Sequence, residues 1–258
     1  MDAALLTQGK DDDKEKWQNS RREACYTLSI EGKESKRLKN NKCQISVYRR
    51  IKMCGRYVVF TEEENEELIE ILSGIDQRYK NEARQVKTGE IFPTDTAPVI
   101  TGGPDNSRNL HLFKWGFPNY TKSSAVIINA RCETLNEKPT FRKLLATGRC
   151  LIPASGFYEW KAADGRAGKK DKYLIRASAS NLMYFAGLYG SFSDRTGILS
   201  TRFVIITTGA NRQMSSIHNR MPVILDKPGA MAWISPSCTP EDSLLRPYGG
   251  ELNIGRVG

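Results

Sequence analysis

The chain has 258 residues, 39% of them hydrophobic, and a net charge of +10; this suits one domain of moderate size with an ordinary core. No stretch approaches the roughly 18 apolar residues of a membrane span, and the N-terminus has no apolar run of signal-peptide form, so membrane-spanning and ordinary secreted classes are set aside. The basic balance admits a polyanionic partner without demanding one, and six cysteines with no CxxC pair, beside only His111 and His218, write no zinc-type cluster.

Residues 1–52 hold 13 Lys and Arg against 8 Asp and Glu, a net +5. The runs Asp11–Lys16 and Lys33–Lys42 are charged and poor in apolar anchors, and Cys43–Tyr48 is the clearest strand-like piece. One short strand cannot bury itself, so this leader is expected to be disordered, cleaved or never translated. Residues 53–258 hold 26 Lys and Arg against 21 Asp and Glu, also +5, and read as a folded domain.

The texture changes at Met53-Cys54-Gly55-Arg56. A strand is predicted at Tyr57–Phe60, then a helix capped by Thr61, with Glu64 three residues on, running to about Leu72. Further strands are predicted at Ala97–Ile100, Leu110–Phe113, Ala125–Ile128, Leu174–Arg176, Leu182–Leu188 and Arg202–Thr207. A short helix is expected over Thr140–Ala146, ending near Gly148, and Lys161–Asp171 reads as a charged hairpin or loop. Trp233 lies in another apolar patch, and Thr239-Pro240-Glu241-Asp242 reads as the start of a helix through Leu245. Many strands with few short helices indicate an α+β fold with a curved or barrel-like sheet. There is no internal repeat and no glycine-rich phosphate loop.

Four polar residues stand out by their settings. Asn129 ends the apolar run Ala125–Ile128, Glu159 sits among aromatics in Gly156-Phe157-Tyr158-Glu159-Trp160, His218 lies in Ile217-His218-Asn219-Arg220-Met221-Pro222, and Cys54 precedes the first strand. A carboxylate between aromatic rings is desolvated, which raises its pKa and suits proton transfer; a loop histidine can serve as a second relay. Each also fits a structural reading: Asn129 as a strand-end cap, Glu159 as a rim residue, His218 as a loop anchor, and Cys54, Cys132 and Cys150 as buried thiols. Basic and aromatic residues interleave at Arg56, Lys114-Trp115-Gly116-Phe117, Arg131, Trp160 and Arg220. Arginines can clamp phosphates and flat rings can stack on unpaired bases, although Trp115 beside a Gly-Phe-Pro turn also fits a core position.

Taken in order, Met53-Cys54-Gly55-Arg56, Trp115-Gly116, Asn129-Ala130-Arg131 with Glu133, Gly156–Trp160, Thr207-Thr208 with Asn211, and His218 with Arg220-Met221-Pro222 give a chain that resembles the SOS response-associated peptidase (SRAP) family from Met53 to about Leu245. The resemblance implies an SRAP-like α+β fold, with a curved, barrel-like, mainly antiparallel sheet and short flanking helices. It implies action on abasic sites in single-stranded DNA, where the α-amine and thiol of an N-terminal cysteine capture the open sugar aldehyde as a thiazolidine. Cys54 is then the nucleophile, Glu159 manages protons around its amine, His218 assists opening of the sugar ring, and Asn129 positions the cysteine end. Arg56 and Arg131 match phosphate-contacting arginines, Trp115 a residue near the DNA channel, and Thr208 a contact to the cysteine end. No metal or organic cofactor is expected, and the chain is expected to be a monomer in the bacterial cytoplasm, at the nucleoid when on DNA.

Two departures stand against the family pattern. An Asn-x-Ala-Pro segment after the first helix is replaced by Gly89-Glu90-Ile91-Phe92-Pro93, with Pro93 aligned to the family proline, and 52 residues precede Met53, so Cys54 as numbered has no free amine. The alternatives are a cysteine autopeptidase that removes its own leader, possible strand cleavage at the abasic site, and a noncatalytic single-stranded DNA-binding module.

Overall fold

The structure is a computed structural model, and it describes residues 55–59, 66–80, 86–105, 107–120, 125–163, 169–194, 197–239 and 243–257. Cys54, the leader with its Cys43–Tyr48 segment, the expected helix start at 60–65 and the 240–242 part of the expected last helix lie outside these residues. The chain runs β1 (Arg56–Val59), α1 (Glu66–Tyr79), β2 (Gly89–Ile91), β3 (Thr96–Gly102), β4 (Arg108–Trp115), β5 (Phe117–Pro118), β6 (Val126–Ile127) and β7 (Asn129–Arg131). It continues through α2 (Pro139–Thr147), β8 (Arg149–Ala154), β9 (Gly156–Ala162), β10 (Lys170–Ala177), β11 (Met183–Ser193), β12 (Leu199–Gly209), β13 (Arg220–Pro222), β14 (Ile224–Leu225), α3 (Lys227–Ile234) and β15 (Leu252–Arg256).

Five strands close on themselves. β12 pairs in parallel with β4 (Arg202 opposite Lys114), β4 with β3, β3 with β8, β8 with β11, and β11 returns to β12 from Gly187–Ile205 to Ser193–Leu199. Closure removes the open edges that a sheet of this size would otherwise expose. β12 is the common wall, and Phe203–Thr208 is buried at every position, as a strand covered on both faces requires. Gly187 makes the closure possible: a Cβ there would lie 2.9 Å from the Val204 carbonyl oxygen and 2.3 Å from Ile152 Cδ1. A second, antiparallel sheet has the order β15-β10-β9-β1-β2. The expected α+β, barrel-like, mainly antiparallel architecture is therefore the observed one.

The two sheets meet through aromatic side chains. Tyr57 (β1) stands opposite Phe157 (β9), so both point to one face. From there Tyr57 packs edge-on to Trp115 (5.2 Å) and Phe185 (6.1 Å), and Phe157 edge-on to Phe185 (6.0 Å). Helix α1 buries Leu68, Ile71, Leu72 and Ile75, the i, i+3, i+4, i+7 stripe of an amphipathic helix, and runs past the expected end at Leu72 to Tyr79. Helix α2 begins with Pro139 and stops at Gly148, matching the expected segment. The expected helix at Thr239–Leu245 is not seen in its described part, where Ser243 and Leu244 form a turn. The helix of this region is α3, which carries Trp233; Asp226 caps it by accepting from the Gly229 N–H at 2.8 Å, with Pro228 in the first turn. Among the described residues, no helix is long and apolar enough to cross a membrane.

Arg149 ties the ends of two helices together. Its guanidinium donates to the carbonyls of Leu145 (2.8 Å) on α2 and of Trp233 (2.7 Å) and Ser235 (2.8 Å) at the end of α3. These are the carbonyls a helix end leaves unsatisfied. Arg149→Met keeps the stem but removes all three bonds, and is expected to cost about 3 kcal/mol, read as a lower midpoint in urea unfolding with an unchanged m-value.

Candidate functional site

The barrel opens at one end. Beyond Gly187 and Ile205, β11 and β12 separate, and the segment from Arg220 to Leu225 enters between them: the Ala186 N–H donates to the Val223 carbonyl (2.9 Å) and the Val223 N–H to the Ile206 carbonyl (2.9 Å). On the other side of β12, β4 gives way to β7, with Asn129 opposite Ile205 and Arg131 opposite Thr207. Residues far apart in sequence thus flank Thr207 and Thr208: Asn129–Glu133 on one side, His218–Pro222 on the other.

Asn129 is fixed from behind. The preceding carbonyl, of Ile128, accepts from Trp115 Nε1 (3.0 Å) and from the Ile205 N–H (3.1 Å). Trp115 is 0% exposed and stacks 6.3 Å from Phe203. Expected near the DNA channel, it lies in the core, presents no exposed surface of its own and braces Asn129 from beneath. The core position that the Gly-Phe-Pro turn also allowed is the one observed, because strand alternation puts Trp115 on the same inward face as Phe113. Thr208, expected to contact the cysteine end, is only 4% exposed, and its hydroxyl meets Cys132.

His218 is set by a short 3-10 turn at Met214–Ser216, which Asn211 holds through its side chain: Oδ1 accepts from the Met214 N–H and Nδ2 donates to the Tyr248 carbonyl, both at 2.9 Å. The His218 N–H then donates to the Met214 carbonyl (2.9 Å), and the Arg220 N–H reaches His218 Nδ1 at 3.1 Å. Burial lowers the imidazole pKa, the charges of Lys170 and Arg220 add to that, and the hydrogen bond to the Arg220 backbone opposes it.

Arg220, grouped by sequence with phosphate-clamping candidates, is already engaged. It forms a two-pronged pair with Glu133, Nη2 to Oε2 at 2.9 Å and Nη1 to Oε1, and Nη2 also donates to the Thr207 carbonyl at 2.7 Å. The Arg220 hydrogen bonds are the largest influence on Glu133 and, against burial, bring its pKa down to about 2. A carboxyl depressed in the folded state contributes stability above its ordinary value of 4.5 that is lost as pH falls through 2. The stability gap between wild type and Glu133→Gln is therefore expected to narrow from pH 4.5 to 2, as measured by urea unfolding at each pH.

Glu159 occupies the facing sheet. It is 2% exposed and lies two residues beyond Phe157 on β9, hence on the same inward face. The β1–β9 register pairs Arg56 with Tyr158, and one further step sets Gly55, the residue after Cys54, opposite Glu159. On the outer face, the Arg56 guanidinium lies 4.6 Å from the Phe92 ring and 5.1 Å from the Trp160 ring, with Nη1 3.5 Å from Glu90. Lys172 shares Glu90 at 2.5 Å and covers the Tyr158 ring at 3.8 Å. Arg131 is exposed on β7 and has no ion-pair partner among the described residues. Near the segment aligned with the family proline, Asp95 accepts from the Phe92 N–H (2.7 Å), and Thr94 adopts φ 77°, a left-handed geometry unfavourable to a β-branched residue.

Cys150 is fully buried, and burial raises its thiol pKa far above the usual range. Cys132 is half-buried beside Thr208 and Glu133, with its thiol pKa raised chiefly by burial. Sequence reasoning did not find the Glu133–Arg220 pair; the presence of both residues among the ordered motifs was the available signal. Among the described residues, no group of three His, Cys, Asp or Glu side chains could hold a metal ion.

A family model described as SOS response associated peptidase (SRAP) matches residues 53–258. The chain is 39% identical over 203 residues to the abasic site processing protein YoqW of Bacillus subtilis, covering 76% of this chain and 88% of that protein. It is 25% identical over 183 residues to the abasic site processing protein YedK of Escherichia coli, covering 70% and 79%. A crystal structure of a protein from Bacteroides thetaiotaomicron is similar in fold, with a TM-score of 0.63 at 24% identity, covering 80% of this chain and 92% of that one.

Proposed function

Because this chain belongs to the SOS response-associated peptidase family, we propose that it processes abasic sites in DNA, and that it does so by covalent capture in single-stranded DNA through Cys54. The working domain of this proposal starts at Cys54, with the α-amine freed. Relatives whose names state abasic site processing support the lesion as substrate.

The observation that carries the reading is Glu159: an almost fully buried carboxylate on an inward face, level with the residue that follows Cys54. Such a group can take a proton from an α-ammonium and return it to a leaving hydroxyl. The Cys54 amine adds to C1′ of the open sugar aldehyde, and the resulting carbinolamine loses water to give an imine. The thiol sulfur then adds to the imine carbon while its proton passes to nitrogen, closing a five-membered thiazolidine. The net change is loss of one water, and the ring closes readily because amine and thiol sit on adjacent carbons. In this scheme His218 faces the sugar oxygens, Asn129 orients the cysteine end, and Arg56 and Arg131 contact phosphates.

The test is direct. Protein beginning at Cys54, incubated with single-stranded DNA carrying one abasic site, should give an adduct that survives denaturing electrophoresis. A folded protein that binds this DNA in a salt-dependent way and gives no adduct would instead be a noncatalytic binding module. The 52 residues before Met53 favour a preceding self-processing step, in which the Cys54 thiol adds to the Met53 carbonyl, the Met53–Cys54 amide bond breaks with Glu159 relaying the thiol proton to the departing nitrogen, and water hydrolyses the resulting thioester. Mass spectrometry of the full-length chain should then show a product starting at Cys54 that is absent in Glu159→Ala.

A further inference from the structure

The contacts around His218 go further than its presence. A backbone N–H can only donate, and that of Arg220 lies 3.1 Å from Nδ1. Nδ1 therefore offers its lone pair, and in the neutral ring the proton resides on Nε2. The Arg220 carbonyl is also near Nδ1, at 3.3 Å, but a proton on Nδ1 would face the Arg220 N–H at the shorter distance, donor against donor. Nε2 has no hydrogen-bond partner among the described residues.

What holds the Arg220 amide in place is the other half of the arrangement. The Arg220 side chain is only 11% exposed, gripped by both Glu133 oxygens and by the carbonyl and hydroxyl of Thr207 (2.7 and 3.3 Å). Its backbone is paired with Gly209 on β12, and the Ala210 N–H donates to the Asn219 carbonyl at 3.1 Å. The ring is thus clamped by one ion pair between residues 87 positions apart.

We propose that His218 is held as its Nε2–H tautomer and meets the substrate as a hydrogen-bond donor, and that the Glu133–Arg220 ion pair is the positioning device that keeps it so. Burial and the charges of Lys170 of β10 and Arg220 of β13 favour the neutral form, against the Arg220 carbonyl, which favours the charged ring but lies at the longer distance of 3.3 Å. Toward an abasic sugar, such a ring polarises an oxygen and stabilises charge developing there; it does not begin as a base. This consequence rests on the abasic-site reading, whereas the tautomer does not.

The experiment is long-range proton–nitrogen NMR on the full-length, nitrogen-15-labelled chain. There are two histidines, and His111→Asn identifies the His218 signals. The expected result is a pyridine-like Nδ1 and a pyrrole-like Nε2 in wild type. In Glu133→Gln and Arg220→Lys the two nitrogen shifts should move toward each other as both tautomers become populated, and Glu133→Asp should lie nearer wild type. An Nδ1–H ring or an even mixture in wild type overturns the tautomer, a result that needs no variant to fold. Unchanged shifts in folded Glu133→Gln and Arg220→Lys overturn the positioning role. Protein beginning at Cys54 that shows the expected tautomer and forms no adduct fails the abasic-site reading alone.

Discussion

Cys54→Ala is expected to abolish the denaturation-resistant DNA adduct, while His218→Ala still reaches it but about a hundredfold more slowly, the usual cost of losing one preorganised donor. The two substitutions remove different things. Cys54→Ala removes the sulfur, so the reaction stops at an imine that hydrolyses. His218→Ala removes polarisation of the sugar and leaves both nucleophiles in place. Cys54→Ser keeps the ring size with a poorer nucleophile and should give a labile linkage. A denaturing-gel time course with protein beginning at Cys54 reads all of these, and equal yields and rates in wild type, Cys54→Ala and His218→Ala would refute the assignment.

Trp115→Ala is expected to destabilise the domain by about 4 kcal/mol, the range for emptying a fully buried aromatic site. For a folded region of this size that lowers the melting temperature by roughly 10 °C. Trp115→Phe keeps most of the volume but takes the indole donor from the Ile128 carbonyl, which retains its bond from Ile205; the expected loss is about 1 kcal/mol. Because Trp115 has no exposed surface, Trp115→Phe should bind single-stranded DNA as wild type does. A fall in affinity without a fall in stability would show that the residue touches DNA after all.

The barrel strands with long apolar runs were legible in sequence. Leu182–Leu188 falls in β11 from Met183 on, Arg202–Thr207 lies in β12, and Ala97–Ile100 and Leu110–Phe113 lie in β3 and β4. Burial on both faces writes itself as an unbroken run, so these needed no partner to be seen. β8 was not legible, because Pro153 interrupts it and its place is fixed by β11 on one side and β3 on the other. β2, β13 and β14 are two or three residues long, and only their neighbours make them strands. α3 did carry a signal, Asp226 followed by Pro228, that outweighs the similar one at Thr239-Pro240 because α3 also buries Ala230, Trp233 and Ile234. At the candidate site, Asn129, Glu159 and His218 were legible as candidates. What each one touches was not, since Glu133 and Arg220 stand 87 positions apart and nothing in either segment names the other.

The entry of Val223 between β11 and β12 has a consequence for how the molecule opens. One residue closes a ladder to each wall, so the His218–Pro222 segment cannot peel away while the barrel stands. The amide protons of Ala186 and Val223 should therefore exchange with solvent only when the whole barrel unfolds, at the slowest rate in the chain. The His218–Pro222 segment is thereby part of the most protected cooperative unit, and damage anywhere in the barrel releases it all at once.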